Sequence, residues 1–196
     1  MPDKELVLGK PEGFLILTPQ NKAWEDCVEA CLPEAERKIR CAIKKDTRFD
    51  RGYLKELAAK LPEGYELKEF DERICDQCMS DPLMRDFIAV FESRDQFLKL
   101  GRGMAVMKNG RIVSGASSYS RYRDGIEVEV ITAEEERRKG LAAAACAALI
   151  LRCLKEGLYP SWDAANMNSV RLAQKLGYEF DHEYPVYEVS GEKRSR

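Results

Sequence analysis

The sequence has no marked excess of either charge. Its 196 residues include 32 Lys and Arg against 34 Asp and Glu, a net charge of −2, which disfavours the basic surface of nucleic-acid-binding proteins. It also has no long hydrophobic run, because the longest one, residues 140–151, is too short to cross a bilayer. The first residues mix both charges, unlike a secretory signal. We therefore expect a cytoplasmic globular protein without nucleic-acid or membrane partners.

Several reactive groups are scarce. The sequence contains a single histidine, His182, and no serine elbow of the kind found in hydrolases. Cys75 and Cys78 form one CxxC pair without a second pair, which favours one face of a helix turn over a zinc or redox site. The seven cysteines are odd in number and scattered, which suits free thiols in a reducing compartment. We expect no disulfide and no bound metal.

The first third of the chain, residues 1–62, is predicted to be a small, mainly helical region. A short strand over 14–17 precedes three segments with helical spacing, and the turn at Pro62 and Gly64 marks the boundary to a second unit. The three predicted helices cover residues 23–31, 34–43 and 51–61. The apolar residues of this region are too few to form a separate core, so we expect the region to pack on the second unit. It would either shape the acceptor site of that unit or serve as a purely structural cover.

The second unit, residues 63–190, is predicted to be an α/β (α+β) domain with a largely antiparallel sheet flanked by helices. The pair Asn109 and Gly110 between two apolar strands is a strong hairpin signal, and residues 191–196 read as a solvated tail. The predicted strands are 65–70, 104–108, 111–119, 126–132, 159–164 and 179–189. The predicted helices lie within 71–100, with a break near Asp81, and over 140–156 and 169–176.

The most informative segment joins the strand 126–132 to the helix that follows. Arg137, Arg138 and Lys139 supply positive charge just before Gly140. Because glycine has no Cβ, the backbone at this position can approach a ligand closely. The first amides of a helix bind phosphate well. On physical grounds alone the segment fits two interpretations equally, a phosphate-binding turn or a basic turn before a core helix.

Two motifs in this order resemble the GNAT superfamily of N-acetyltransferases. Arg137, Gly140 and Ala142 match its pyrophosphate loop, and Asn166 followed by 172–178 (LAQKLGY) is similar to its strand end, short helix and Gly-aromatic pair. The segments SGASSYS, GIEVEV, RRKGLA, YPSWDAAN and KLGYEFDHEY resemble a bacterial subgroup that includes the zwittermicin A resistance acetyltransferases. The resemblance is strong over about 101–188 and loose over 6–100.

The resemblance implies that acetyl-CoA binds where the strand 126–132 separates from the strand 159–164. Backbone groups of the first strand would hold the acetyl and pantetheine parts, amides of 138–142 would hold the pyrophosphate, and Arg137 would support the loop. The residues that it assigns to the cofactor are Val130, Ile131, Thr132, Arg137, Arg138, Lys139, Gly140, Leu141, Ala142, Asn166 and Ser169.

Direct transfer to an amine requires a neutral nucleophile, and therefore a base or a desolvating carboxylate pocket. A lysine-like ammonium loses its proton at pH 7 only at a cost of about 4.6 kcal/mol. Glu129 and then Glu127, alternating along the strand, are our candidates for the base, and a merely polar sheet face is the alternative. The family's usual acid, a tyrosine, is replaced by Ala173, so the acid stays unassigned. Glu134–Glu136 are expected to face solvent.

Three functions remain open at this stage. We favour an N-acetyltransferase that passes acetyl from acetyl-CoA directly to a primary amine of a small molecule in a ternary complex. The alternatives are a non-catalytic CoA-binding module and a protein or peptide N-acetyltransferase. Trp162 and Asp163 have two interpretations, as cleft residues or as a core indole and a helix cap. The oligomeric state is open, a homodimer included.

Overall fold

The structure is a computed structural model that describes residues 14–190. Within this range it contains nine strands, six α-helices and two 3₁₀ turns, Arg85–Phe87 and Glu134–Glu136. The predicted tail, 191–196, lies outside the described residues. In chain order the elements are β1 (Phe14–Leu17), α1 (Lys22–Cys31), β2 (Glu36–Ile43), α2 (Arg51–Ala59), β3 (Tyr65–Glu69), α3 (Glu72–Ser80), α4 (Arg94–Leu100), β4 (Gly103–Lys108), β5 (Arg111–Tyr122), β6 (Gly125–Thr132), α5 (Leu141–Lys155), β7 (Tyr159–Ser161), β8 (Asp163–Ala164), α6 (Met167–Lys175) and β9 (Phe180–Ser190).

The strands form two sheets. The first has the order β3-β4-β5-β6-β7, and its pairs are antiparallel except for β6 with β7. Its hairpin turns at Asn109 and Gly110, whose φ angles of 51° and 77° are the left-handed values that a tight hairpin turn requires. The second sheet has the order β1-β9-β2-β8 and is antiparallel. The predicted fold class, a largely antiparallel sheet flanked by helices, is confirmed.

The two sheets meet where β6 and β7 separate. These strands pair in parallel over three positions, the last of which joins Glu127 to Ser161. After Ser161 the chain leaves β6, and β8 pairs instead with β2 through Ala42 and Asp163. Among the described residues no strand pairs with this edge of β6 beyond Glu127. The backbone of the second half of β6 therefore faces an opening between the sheets.

Two apolar clusters cover opposite faces of the first sheet, because alternate residues of β4 belong to different clusters. The first cluster contains the buried face of α5 together with Leu54 and Leu57 of α2. Alanines of α5 let the helix lie close to the strands. The second cluster contains Phe70, Phe87 and Phe97 with residues of α3. Truncating the fully buried Leu54 to alanine should cost about 2–5 kcal/mol.

The helix predicted over 34–43 is wrong, since this segment is β2. Its residues pair with β9 on one edge and with β8 on the other. Cys41 and Ile43 point into the first cluster, whereas Ile39 is 44% exposed. The segment reads as a helix because its apolar residues also fit helical spacing, and the two long-range pairings override that local pattern. Residues 14–62 thus supply strands and helices to the same core as residues 63–190.

Two further predictions concern local structure. The single strand predicted over 159–164 is divided, because Trp162 separates β7 in one sheet from β8 in the other.

Cys75 and Cys78 are fully buried on α3, and burial raises the pKa of their thiols to about 11 and about 12. The interpretation of this CxxC pair as core residues is confirmed. Residues 14–190 contain no helix that is both long and apolar enough to span a membrane.

Candidate active site

The start of α5 is shaped by two left-handed residues. Arg138 has φ 65°, and Gly140 has φ 83° at the N-cap position. No side chain accepts a hydrogen bond from the first turn of α5, so its amides point outward with the positive end of the helix dipole. A Cβ on Gly140 would meet no atom within 4 Å. Glycine is therefore favoured here by the backbone angle and not by crowding within the protein.

Glu136 organises the segment that leads to this turn. The residue is 7% exposed, and its carboxylate accepts hydrogen bonds from Lys108 Nζ at 2.8 Å, Lys139 Nζ at 2.6 Å and the Tyr65 hydroxyl. These three donors lower the pKa of Glu136 to about 2. The expectation that this acidic run faces solvent holds for Glu134 and Glu135 and is wrong for Glu136.

The three cations of the turn therefore differ. The ammonium of Lys139 is bound to Glu136 and to the Glu135 carbonyl oxygen. Arg137 is exposed, and its guanidinium lies 3.7 Å from Glu134. Arg138 is exposed as well. Leu141 points into the core, and Ala142 is half-buried, so that their backbone amides are the groups they can offer to a ligand.

Glu127 and Glu129 lie on the face of β6 opposite to the one that packs against α5, because Val128 and Val130 belong to the first apolar cluster. Both carboxyls are half-buried, and burial raises the pKa of each above its usual value. The charge of Arg40 counters that rise for both. Glu129 Oε1 accepts a hydrogen bond from the Val130 amide at 3.2 Å. A carboxyl with a raised pKa accepts a proton more readily than an ordinary glutamate.

The end of β6 contains the residues whose backbone is predicted to contact the cosubstrate. Ser114 Oγ donates to the Ile131 carbonyl at 3.1 Å and lies 2.7 Å from Thr132 Oγ1. These bonds hold the strand on the β5 side, while its other edge stays open. Val130, Ile131 and Thr132 are all half-buried. The residues expected to present their backbone to a ligand thus line the opening.

Asn166 and Ser169, predicted to contact the cofactor, already have partners within the fold. Asn166 Oδ1 accepts from the amides of Asn168 and Ser169 and caps α6. Ser169 Oγ accepts from Trp162 Nε1 at 3.0 Å. Trp162 is buried, as the core interpretation expects. The side-chain amide nitrogen and the backbone of Asn166 are therefore the groups of these two residues that stay available to bind a ligand.

Ala173 is fully buried on α6, and no hydroxyl replaces the family's usual tyrosine at that position. Tyr178 is also buried and donates to the Pro160 carbonyl at 2.6 Å, and burial raises its pKa well above the usual value. Tyr178 is therefore a core residue, and neither of these positions supplies a proton donor.

A cluster that the sequence did not reveal lies on the other side of the opening. Asp163 accepts from Arg40 Nε at 2.6 Å and from the Tyr184 hydroxyl at 2.8 Å. Arg40 and Tyr184 are direct partners in the β2–β9 pairing, and burial together with the bond to Asp163 raises the pKa of Tyr184 to about 12. Asp163 is thus an ion-pair residue on the wall of the cleft and not a helix cap. No local motif announces this cluster, because its members come from three distant segments.

Two cavities flank these elements. One of about 860 Å³ lies between α3 and the β4–β5 hairpin, and none of the predicted site residues line it. Another of about 480 Å³ is bounded by β2, β8 and β9 and includes Asp163 and Tyr184 in its wall. Within residues 14–190, no three His, Cys, Asp or Glu side chains come close enough together to hold a metal ion.

An opened parallel strand pair followed by an uncapped, glycine-started helix is the arrangement that the sequence resemblance implied. A model of the GNAT acetyltransferase family matches residues 2–187. The chain belongs to this family. It is 33% identical over 132 residues to an uncharacterized N-acetyltransferase, YdfB, of Bacillus subtilis; the match covers 65% of this chain and 49% of that protein. The chain therefore spans about half the length of this curated relative.

Solved structures of the same family share the fold. A GCN5-related N-acetyltransferase-like protein from Streptococcus suis superimposes with a TM-score of 0.85 at 46% identity, over 88% of this chain and 70% of that one. A GNAT-family protein from Novosphingobium aromaticivorans has a TM-score of 0.61 at 17% identity, over 96% of this chain and 78% of that one. The second likeness bears on the fold alone.

Proposed function

We propose that this protein is an N-acetyltransferase that transfers the acetyl group of acetyl-CoA directly to a primary amine of a small molecule. The observation that carries the proposal is the opening beyond Glu127 and Ser161, which ends at the uncapped first turn of α5. A strand edge with unpaired backbone and a helix start with unpaired amides together suit a long ligand that has a pantetheine arm and a pyrophosphate.

The residues present fit this cosubstrate. The left-handed turn at Arg138 and Gly140 leaves the helix amides open, and Arg137 and Arg138 are exposed beside them. We assign the pyrophosphate to the amides of 138–142 and the pantetheine arm to the edge of β6 and to Asn166. The cosubstrate supplies an activated thioester, which is the acyl donor. Lys139 supports the turn through Glu136 rather than by direct contact with phosphate.

The acids of β6 would act on the acceptor. Glu129 and Glu127 stand beside the opening, attract an ammonium group and take its proton, directly or through water. Their raised pKa reduces the free-energy difference against an amine of pKa about 10.4. In the absence of the usual tyrosine, water protonates the departing thiolate, whose pKa of about 8.5 makes it a tolerable leaving group.

The finer resemblance of 101–188 to the zwittermicin A resistance subgroup supports a small-molecule acceptor over a protein. We also propose a cytoplasmic location, because buried thiols such as Cys146 and Cys153 serve as core residues, which suits a reducing compartment.

The test is the release of free thiol from acetyl-CoA in the presence of a panel of primary amines, with mass spectrometry of the product. We expect amine-dependent thiol release and an acetylated amine. Binding of CoA without release for any amine would refute the transferase and favour a CoA-binding module. Release with peptides and with none of the small amines would favour the peptide N-acetyltransferase.

A further inference from the structure

The cavity of about 480 Å³ adjoins the opening between the sheets. Trp162 and Asp163, the first residues after β7 leaves β6, form one part of its wall. Its size suits a small molecule. The rest of the wall comes from the loop after β1, from the end of β2 and from β9. The residues that line it are Thr18, Pro19, Gln20, Ala42, Ile43, Lys45, Trp162, Asp163, His182 and Tyr184.

The charges of this wall are not balanced. The carboxylate of Asp163 is already matched by Arg40 at 2.6 Å, and His182 Nδ1 lies 3.2 Å from Asp181. Lys45 is exposed on the cavity wall, and within the described part of the chain its ammonium has no hydrogen-bond or ion-pair partner. The neighbouring Lys44 differs, since its ammonium binds Glu179 at 2.8 Å. Lys45 is thus a cation of the cavity that no described carboxylate contacts directly.

Lys45 also lies within electrostatic reach of Glu127. Its charge is the largest influence that opposes the effect of burial on the pKa of Glu127. Glu127 pairs with Ser161, the residue that precedes Trp162 and Asp163 in the cavity wall, so the cavity adjoins β6 at this acid. A ligand that extended from the cavity to β6 would place a positive group at the acids and a negative group at Lys45, because opposite charges attract and like charges repel over such distances.

We propose that the acceptor is a zwitterionic amine, with its ammonium at Glu127 and Glu129 and an anionic group, a carboxylate or a phosphate, at Lys45. This inference rests on the proposed function and narrows its substrate class. An amine with a second positive group in place of the anion is disfavoured because it would meet Lys45. An amine without a second charged group makes no ion pair with Lys45 and gains no affinity from it.

The test compares matched acceptors and matched variants. Thiol release is measured with short ω-amino acids and with their amides, and with phosphoethanolamine and ethanolamine. The two pairs separate a carboxylate from a phosphate as the preferred anion. We expect kcat/KM to be about tenfold higher for the member of the preferred pair that carries an anionic group than for the member that lacks it.

Substitution assigns the preference to Lys45. Lys45→Met should raise KM for the anionic acceptor about tenfold while leaving KM for acetyl-CoA near its original value. Because the charge of Lys45 also lowers the pKa of Glu127, kcat is compared on the plateau of the pH profile, above the range in which that acid titrates. Lys45→Arg should retain the preference. Lys44→Met is the control, because Lys44 is paired away from the cavity, and should change none of these constants.

Equal kcat/KM for amines with and without an anionic group, or a preference that survives Lys45→Met, would overturn the inference while leaving the proposed function intact. If no amine releases thiol, the proposed function fails. Calorimetric titration with the same ω-amino acids and with phosphoethanolamine then tests the anion site by itself. Binding that weakens in Lys45→Met supports an anion site at the cavity, and absence of binding overturns it.

Discussion

The two walls of the opening are built in different ways. One wall, β6 with the turn and α5, is a single run of chain from 125 to 155, and it offers mainly backbone groups. The other wall joins β2, β8 and β9, and its polar groups include the bonded side chains of Arg40, Asp163 and Tyr184. The local wall can be recognised from sequence, whereas the assembled wall is visible only in the fold. We assign the cosubstrate to the first wall and the acceptor to the space between the second wall and the acids of β6.

The largest expected effect concerns those acids. Replacing the one that acts as base, Glu129→Gln or Glu127→Gln, should lower turnover by about 10² with CoA affinity near its original value. In the wild type, kcat/KM should fall on the acid side at a pH above the usual glutamate pKa, because burial raises the pKa of both groups.

The folding stability of these variants provides a check. A folded-state pKa above the unfolded value means that stability declines as pH rises through that range. The Gln variants should therefore be at least as stable as the wild type at neutral pH in urea unfolding. Glu66→Gln, on β3 beside Lys68, is the control. Full turnover in both single variants would contradict the assignment.

The next effect tests the backbone wall. Gly140→Val should weaken CoA binding more than tenfold in calorimetry, because the side chain would disfavour the left-handed turn and obstruct the approach of the phosphates. Gly64 has the same φ, 83°, and a Cβ added there would also meet no atom within 4 Å. Gly64→Val should cost similar stability and leave CoA affinity unchanged. Equal CoA affinities of the two variants would show that the pyrophosphate does not bind at the start of α5.

A third effect tests how the assembled wall is held. Arg40→Met should lower the free energy of unfolding by about 1–2 kcal/mol, because the partly buried carboxylate of Asp163 loses its ion pair. Lys44→Met, which breaks an exposed pair with Glu179, should lower the free energy of unfolding less than Arg40→Met does. Urea unfolding of both variants measures these changes. Equal losses of unfolding free energy would show that the ion pair of Arg40 with Asp163 does not stabilise the wall.

The smallest effect concerns the support of the turn. Glu136→Gln should change CoA affinity by less than about threefold, because Lys139 loses a tether and not a phosphate contact. The pKa of Glu136 is about 2 in the folded protein, so its stabilising effect is present above the unfolded pKa near 4.3 and is lost as pH falls towards 2. Urea unfolding from pH 5 downward should depend less on pH in the variant than in the wild type. An unchanged pH dependence would contradict this role.

The elements that could be predicted are those whose signals are local. The Asn109 and Gly110 hairpin, the helix after Gly140 and the alternation of β6 each depend on neighbouring residues, and the structure confirms them. The family motifs lie in the same stretch. Their roles in binding stay a prediction.

The features that were missed depend on distant partners. Residues 36–43 form a strand because β8 and β9 pair with them, and no helix propensity of that segment could announce those pairings. Glu136 looked like one of three solvated acids, yet Tyr65 and Lys108, far away in the sequence, surround it. Arg40 and Tyr184 reach the site for the same reason. Such contacts follow from topology, which a local pattern does not contain.

The most direct test of the two-wall account is a crystal structure of the protein with CoA bound. We expect the pyrophosphate within hydrogen-bond distance of the amides of 138–142, and the thiol in the opening beside Glu129 and Asp163. CoA bound instead in the larger cavity between α3 and the β4–β5 hairpin, with the start of α5 free, would contradict the account.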